Sequence, residues 1–255
     1  DGWAQSGSGV NYQITVAKAG YYQLSFHAKQ NFKSNYTVYR KIKINHEVPF
    51  EEANAFPFPY TSGYKDIVFG EGEPYQVYLN EGVNVITIEA TDSPYHHAIS
   101  TIEKILDDIN TLSLEIRKLV GNQDNPFKEW VITNYIPDLQ PRLIAMADEL
   151  QADLDRIIEE NDSKGSSEAL SYQIAIDNLR YLAKEPDKVP NRMARFSEGS
   201  GSAAQLLGTV LPMLQEAPLS LDHFTLYSPD QVVKTKTAGF FEVLFENIKQ
   251  FILSF

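Results

Sequence analysis

Four aromatic and three polar residues are the parts of this sequence best suited to do chemistry together. Trp3, Phe56, Phe58 and Tyr60 offer flat faces, and Asn31, Asn35 and Arg40 offer two amides and a cation. A β-sandwich that holds a sugar needs such a set, with an aromatic ring under the apolar side of a pyranose and amides or charges for its hydroxyls. Within the set, binding is expected to centre on Tyr60 with Asn31 and Arg40, Phe58 and Trp3 standing next. A plainer reading lies beside it. Aromatic residues between prolines commonly plug the end of a sandwich core, and Arg40 would then simply satisfy Glu51 or Glu52.

Other chemistry finds little to work with. There is no nucleophile elbow, HExxH, phosphate loop or dinucleotide fingerprint, and no two carboxylates stand out for glycoside hydrolysis, so no enzyme is expected. The absence of cysteine removes disulfides, thiolate metal sites and cysteine nucleophiles together. The five histidines show no zinc-ligand spacing, since His96 and His97 are adjacent and point apart. No carboxylate-rich calcium loop is present. No metal and no cofactor are expected. Glu51–Glu52, Asp107–Asp108 and Glu159–Glu160 read as solvated pairs.

A net charge of −12 argues against nucleic acid or an anionic membrane as partner, because either wants a basic surface. No run of eighteen apolar residues and no signal peptide is found. Beginning at Asp1 and ending at Phe255 inside an apolar stretch, the chain reads as a piece of something longer. Residues 1–95 hold 17 of the 30 Phe, Tyr and Trp residues, whereas 96–216 hold 20 of the 34 acids. The aromatic part is where binding is expected, and the acidic part reads as solvated helices.

The elements that must position the aromatic set follow from periodicity. Asn11 to Val16, Tyr22 to Ala28 and Tyr36 to Ile44 alternate as half-buried strands. Arg40 falls on the inward row with Val38, Ile42 and Ile44, so it must pair with a carboxylate or reach an open end of the sandwich. Pro49 to Gly63 carries three prolines within eleven residues and is expected to be a long aromatic loop. Tyr64–Phe69, Tyr75–Leu79 and Val83–Asp92 follow as strands.

Strand character then stops for more than a hundred residues and returns only at Leu219–Tyr227. Ile99, Ile102, Leu106, Ile109, Ile116 and Leu119 predict a helix ending at Gly121. Leu143, Met146, Leu150, Leu154 and Ile157 predict a second over 139–160, with Pro141 in its first turn. Ser166 or Ser167 caps a third reaching Lys184, and 203–214 is a fourth. The expected fold is α+β: a sandwich of residues 1–95 closed by a last strand in 217–230, and a helical bundle of 96–216 inserted into it. An apolar stripe from Phe240 to Phe255 predicts a C-terminal linker helix within 231–255, leading to a following domain.

Gly9 to Val16, Ala19 to Phe26, Arg40 to Asn45 and Leu79 to Ile86, with the closing Leu221-Asp222-His223-Phe224-Thr225-Leu226, resemble the galactose-binding-like jelly rolls of carbohydrate-binding modules. The order of Gln30-Asn31, Arg40-Lys41-Ile42, Pro49-Phe50, Phe58-Pro59-Tyr60, the helical middle and Phe251 to Phe255 is similar to the accessory region of large bacterial extracellular solute-binding proteins of carbohydrate ABC transporters. Two features depart from the modules. The turn Asn45-His46 replaces the usual Asp-Gly, and no opening strand with calcium-ligating acids is evident. The resemblance implies a non-catalytic carbohydrate-recognition module, extracellular and held at the cell surface by a lipid anchor outside this fragment. Its implied partners are an oligo- or polysaccharide and the solute-binding domain of the same polypeptide, and a structural calcium follows only by analogy. The alternative is a structural or protein-docking module that positions the solute-binding domain without binding sugar.

Overall fold

A computed structural model describes residues 3–121, 128, 130–161, 166–228, 231, 235–236 and 240–241. They fall into two compact units, Asp1–Pro94 with Glu216–Phe255, and Tyr95–Gln215.

In the first unit the strands are β1 Gly9–Val16, β2 Gly20–Lys29, β3 Val38–Ile44, β4 Phe56–Phe58, β5 Lys65–Val68, β6 Gly70–Glu71, β7 Glu73–Pro74, β8 Val77–Leu79 and β9 Gly82–Thr91. One antiparallel sheet runs β1-β9-β3-β4, and the other runs β10-β2-β5 with β8 also on β2, where β10 is Ser220–Tyr227. The two sheets share one core. Ile14, Ile42, Ile86 and Ile88 from the first meet Leu24, Phe26, Leu79 and Phe224 from the second. Tyr12 sets its ring edge-on to Phe224 at 5.2 Å, joining β1 to β10. Along β1, β2, β3 and β9 alternate residues enter this core, the period-2 pattern that their sequences carry, while Ser25, Tyr39 and Thr87 are buried between them. The jelly-roll sandwich expected from the sequence is present, and its closing strand comes from beyond the helices.

The proline-rich stretch is more regular than expected. Phe56–Phe58 forms an edge strand on β3, with Pro57 opposite Tyr39, and Glu51–Asn54 makes a turn of 3₁₀ helix. Proline lacks a ladder donor but is tolerated on an edge strand, where one side of the backbone has no partner strand to serve. Burial of Phe56 and Phe58 on either side of Pro57 supplies the stabilisation.

Asn45 and His46 turn the chain with φ of +50° and +73°. Ile44 and Glu47 exchange both backbone hydrogen bonds across them, at 2.8 and 3.0 Å. Positive φ at both central residues is the pattern of the tight hairpin turn that glycine serves at least strain. Replacing His46 by glycine is therefore expected to stabilise the chain by about 0.5–1 kcal/mol in urea unfolding. No gain, or a loss, would show that the imidazole makes up for its strained backbone.

In the second unit, α1 is His96–Val120, α2 Leu139–Glu160, α3 Ser167–Lys184, α4 the single turn Met193–Phe196, and α5 Ala203–Gln215. Gly121 ends α1 at φ +72°, its N–H bonding Arg117 O, as a C-terminal glycine should. The buried stripe of α1 uses Ile105 where Leu106 was expected, and Leu119 is 40% exposed. A spacing of three from Ile102 serves as well as one of four, so periodicity alone does not choose between neighbours. Along α2 the expected residues, Leu143, Met146, Leu150, Leu154 and Ile157, are all buried. Ser166 caps α3 by accepting from Ala169 N at 3.0 Å. Among the described residues no helix is long and apolar enough to cross a membrane.

The linker helix expected over 231–255 falls mainly on residues outside those described. Within it, Thr235–Lys236 pairs with Phe240–Phe241 as β11 and β12.

Candidate functional site

The loop between β2 and β3 is built around Gln30, whose side chain is almost wholly buried at 1% exposure. Its amide nitrogen donates to Lys33 O at 3.0 Å and Tyr36 O at 2.7 Å. Its carbonyl oxygen accepts from the backbone N–H of Phe32 and of Lys33, each at 3.0 Å. One side chain thus serves four backbone groups of a segment that no ladder can satisfy.

The backbone of Gln30 is also tied to the strand β4–β5 connection. Thr61 N donates to Gln30 O at 2.8 Å, and Gln30 N donates to Thr61 Oγ1 at 3.1 Å. This pairing joins the loop that carries Asn31 to the connection that carries Tyr60. Asn31 is exposed, Phe32 is 57% exposed and Tyr60 is 38% exposed. Two rings and an amide therefore face solvent from two connected loops, as a stacking site requires. Asn35, at φ +59°, is half-buried in the same loop.

The remaining expected residues turn inward. Phe58 and Phe56 pack on Phe26 at ring separations of 5.6 and 6.1 Å, deep in the core. Arg40 and Phe58 are 0% exposed and so have no surface to offer a ligand. Arg40 neither pairs with Glu51 or Glu52 nor reaches an open end. Its guanidinium lies 4.4 Å from the centre of the Trp3 ring and donates to Tyr39 O at 2.9 Å and Ala217 O at 2.6 Å. Its Nε has no hydrogen-bond partner among the described residues. Burial pushes its pKa down to about 9, which still leaves it a cation at neutral pH.

Trp3 is half-buried, one face given to Arg40 and its Nε1 donating to Leu219 O at 2.9 Å. Lys33 Nζ donates to the Glu216 carbonyl, and Ala217 N to Ala4 O at 2.6 Å. Trp3, Lys33 and Arg40 together hold the stretch 216–219, where the chain re-enters the sandwich to form β10.

Of the expected set, Tyr60 and Asn31 are exposed on two connected loops, Arg40 is buried against the half-buried Trp3, and Phe58 lies in the phenylalanine core. Sequence reading passed over two participants. Phe32 was visible as an aromatic residue inside a polar run, whereas Gln30 carried no signal, because its role depends on carbonyls three and six residues away adopting one loop shape. A depression of about 490 Å³ is lined by Gly9, Val10, Asn11, Gln13, His46 and Val85. None of these is a Phe, Tyr or Trp, so it provides no ring for a pyranose to stack on.

Residues 97–214 match the family model for the bacterial solute-binding protein, 4-helix bundle domain. The four long helices α1, α2, α3 and α5 fall almost wholly within the matched residues, and the match agrees with the solute-binding accessory region that the sequence resembles. No curated protein matches the chain. Solved structures similar to part of it include a family 35 carbohydrate binding module from Clostridium thermocellum, at 18% identity and TM-score 0.28, over 34% of this chain and 61% of that one. A CBM35 from Paenibacillus barcinonensis is similar at 22% identity and TM-score 0.27, over 34% and 62%. A ruminal GH26 endo-beta-1,4-mannanase is similar at 20% identity and TM-score 0.27, over 34% and 16%. Likenesses of this strength place no ligand on the sandwich, and the chain spans less than two thirds of each of these structures.

Proposed function

We propose that this chain is a non-catalytic accessory module of a bacterial extracellular solute-binding protein that serves carbohydrate uptake, and that it meets an oligo- or polysaccharide at the rim formed by Asn31, Phe32 and Tyr60. The observation that carries the reading is the exposure of two rings and an amide on two loops that the buried Gln30 ties together. An exposed aromatic residue on a floppy loop would lose ordering entropy on binding; this one has lost most of it on folding. The match of 97–214 to the solute-binding bundle domain supplies the context.

In this reading the sandwich comprises 1–95 and 217–230, the bundle 96–216 is inserted, and 231–255 leads toward the solute-binding domain of the same polypeptide. The module then works outside the cell, as part of an ABC transport system, held to the surface by a lipid anchor elsewhere in the protein. No nucleic acid takes part, consistent with the net charge of −12.

A second reading, a structural module that positions the solute-binding domain, is favoured by the internal cluster. There Arg40 and Lys33 spend their charges on the backbone of 216–219, and the expected sugar contacts of Arg40 and Phe58 are absent.

A glycan array separates the two. The chain is expected to bind a restricted set of glycans, and Tyr60→Ala to weaken that binding about tenfold or more, since loss of one stacking ring is worth about 1–1.5 kcal/mol. Tyr21→Ala is the control. Tyr21 is 58% exposed and sets its ring against Tyr78 at 5.3 Å on β2 and β8, away from the rim. Equal losses in both variants would mean adventitious stacking on exposed rings. No binding by a folded chain would leave the positioning role as the better account.

A further inference from the structure

From the outer face of the second sheet we infer a zinc site formed by His27, His223 and Asp66, with Asp222 orienting His223. The three ligands come from β2, β10 and β5, and the register places His27 opposite both His223 and Asp66. One row across three adjacent strands thus presents two imidazoles and a carboxylate on a single face. One ligand atom from each lies within 4.8 Å of the others. Bonds of about 2.0–2.1 Å in a tetrahedral site set ligand atoms about 3.3 Å apart. Side-chain rotation of about 1.5 Å closes the set.

Strand β10 carries a bulge at this row. Leu221 pairs with Ala28 and His223 with His27, leaving Asp222 as the extra residue. A bulge re-aims side chains, and here it lets Asp222 Oδ2 meet His223 Nδ1 at 3.0 Å. A carboxylate is an acceptor, so this contact puts the proton on Nδ1 and leaves Nε2 with its lone pair. A carboxylate behind a ligating histidine is the usual outer support of a metal-bound imidazole.

On β2 the arrangement differs in a useful way. His27 Nδ1 and Asp66 Oδ1 share one proton at 2.7 Å. The zinc ion takes the place of that proton, bound by His27 Nδ1, Asp66 Oδ1 and His223 Nε2, with a water completing the tetrahedron. The two rings already lie stacked, 4.8 Å apart at 19°, and Tyr64 lies against His27 at 5.4 Å and 9°. Side-chain exposures of 29% for His27, 45% for Asp66 and 35% for His223 leave the ion a way in. Two nitrogens and one oxygen suit zinc better than calcium or magnesium, which prefer oxygen alone. Spacing along the chain gives no sign of this group, because His27 and His223 are 196 residues apart in sequence and adjacent in the sheet.

Titration of the tag-free, EDTA-stripped chain with ZnCl2 tests the site. About one equivalent is expected to bind with micromolar affinity, and its addition to the wild-type chain should shift the ring nitrogen resonances of both His27 and His223. His27→Ala and His223→Ala should each weaken binding about 100-fold or more, and Asp222→Asn about tenfold. The wild-type resonances guard against a variant that fails to fold. No zinc-dependent shift at either ring, or unchanged affinity in a folded His27→Ala/His223→Ala double variant, would overturn the assignment.

Discussion

Arg40→Ala is expected to destabilise the sandwich unit by about 3–5 kcal/mol, whereas Arg40→Met is expected to cost less than half as much. Alanine removes a fully buried side chain and leaves a cavity beside Trp3. It also strips a charged donor from the carbonyls of Tyr39 and Ala217, each such bond being worth about 1.5–3 kcal/mol. Methionine refills much of the cavity and keeps contact with the Trp3 ring. It also removes a cation whose burial is costly, as the fall of its pKa to about 9 records. That fall has a testable sign. The unfolded chain holds the Arg40 proton into the usual arginine range, while the folded chain releases it near 9. Above pH 9 the unfolded state binds more protons, so this residue makes stability rise with pH there, and below pH 9 its penalty is fully present. The difference in urea-unfolding free energy between wild type and Arg40→Met should therefore be flat from pH 7 to 8.5 and move in favour of wild type above it. Equal costs for alanine and methionine would mean that the charge itself, rather than the volume, holds 216–219 in place.

The same residue shows what a sequence can and cannot reveal. That Arg40 lies on the inward row was legible, because alternation with Val38, Ile42 and Ile44 is a local property of one strand. What it meets there was not. Its partners, Trp3 and Ala217, sit at opposite ends of the chain, and both acceptors are backbone carbonyls, which no side-chain pattern marks. The helices were legible for a similar reason. Gly121, Ser166 and Pro141 act on their own turns, and the stripe of α2 repeats within one element. The strand β4 was hidden by prolines because the rule against proline in sheets weakens at an edge, and which strand lies at an edge is a tertiary fact. The row of His27, His223 and Asp66 was hidden for the strongest version of this reason. It requires the pairing of β2 with two strands and a one-residue bulge, and a slip of one residue would send His223 to the other face. At the rim, Tyr60 and Asn31 could be named from residue type, but the joining of their loops depends on the Gln30–Thr61 pairing.

Gln30 is where stability and recognition should fail together. Gln30→Ala removes one hydrogen-bond partner from each of two backbone donors and two backbone acceptors in a loop whose neighbours Lys33 and Tyr36 are buried, although Lys33 O keeps its bond from Tyr36 N. Buried backbone groups left unpaired cost about 1–3 kcal/mol each, and water entering the space of the lost side chain offsets part of this. A net loss of about 2–4 kcal/mol is expected in urea unfolding, together with loss of glycan binding although Tyr60 and Asn31 are untouched. Gln30→Glu makes the argument sharper. Its carboxylate still accepts from Phe32 and Lys33, but its second oxygen then faces the carbonyls of Lys33 and Tyr36, where the wild-type amide donates. Protonating that oxygen restores a donor, so the folded variant should bind a proton more tightly than the unfolded one. Its stability deficit relative to wild type should shrink as pH falls through the carboxylate range. A deficit that stays constant with pH would mean that the loop opens to water in the variant, and would sink the claim that the Gln30 side chain sets the shape of the rim. Retention of full glycan affinity by a folded Gln30→Ala chain would separate the two roles and move recognition away from this loop.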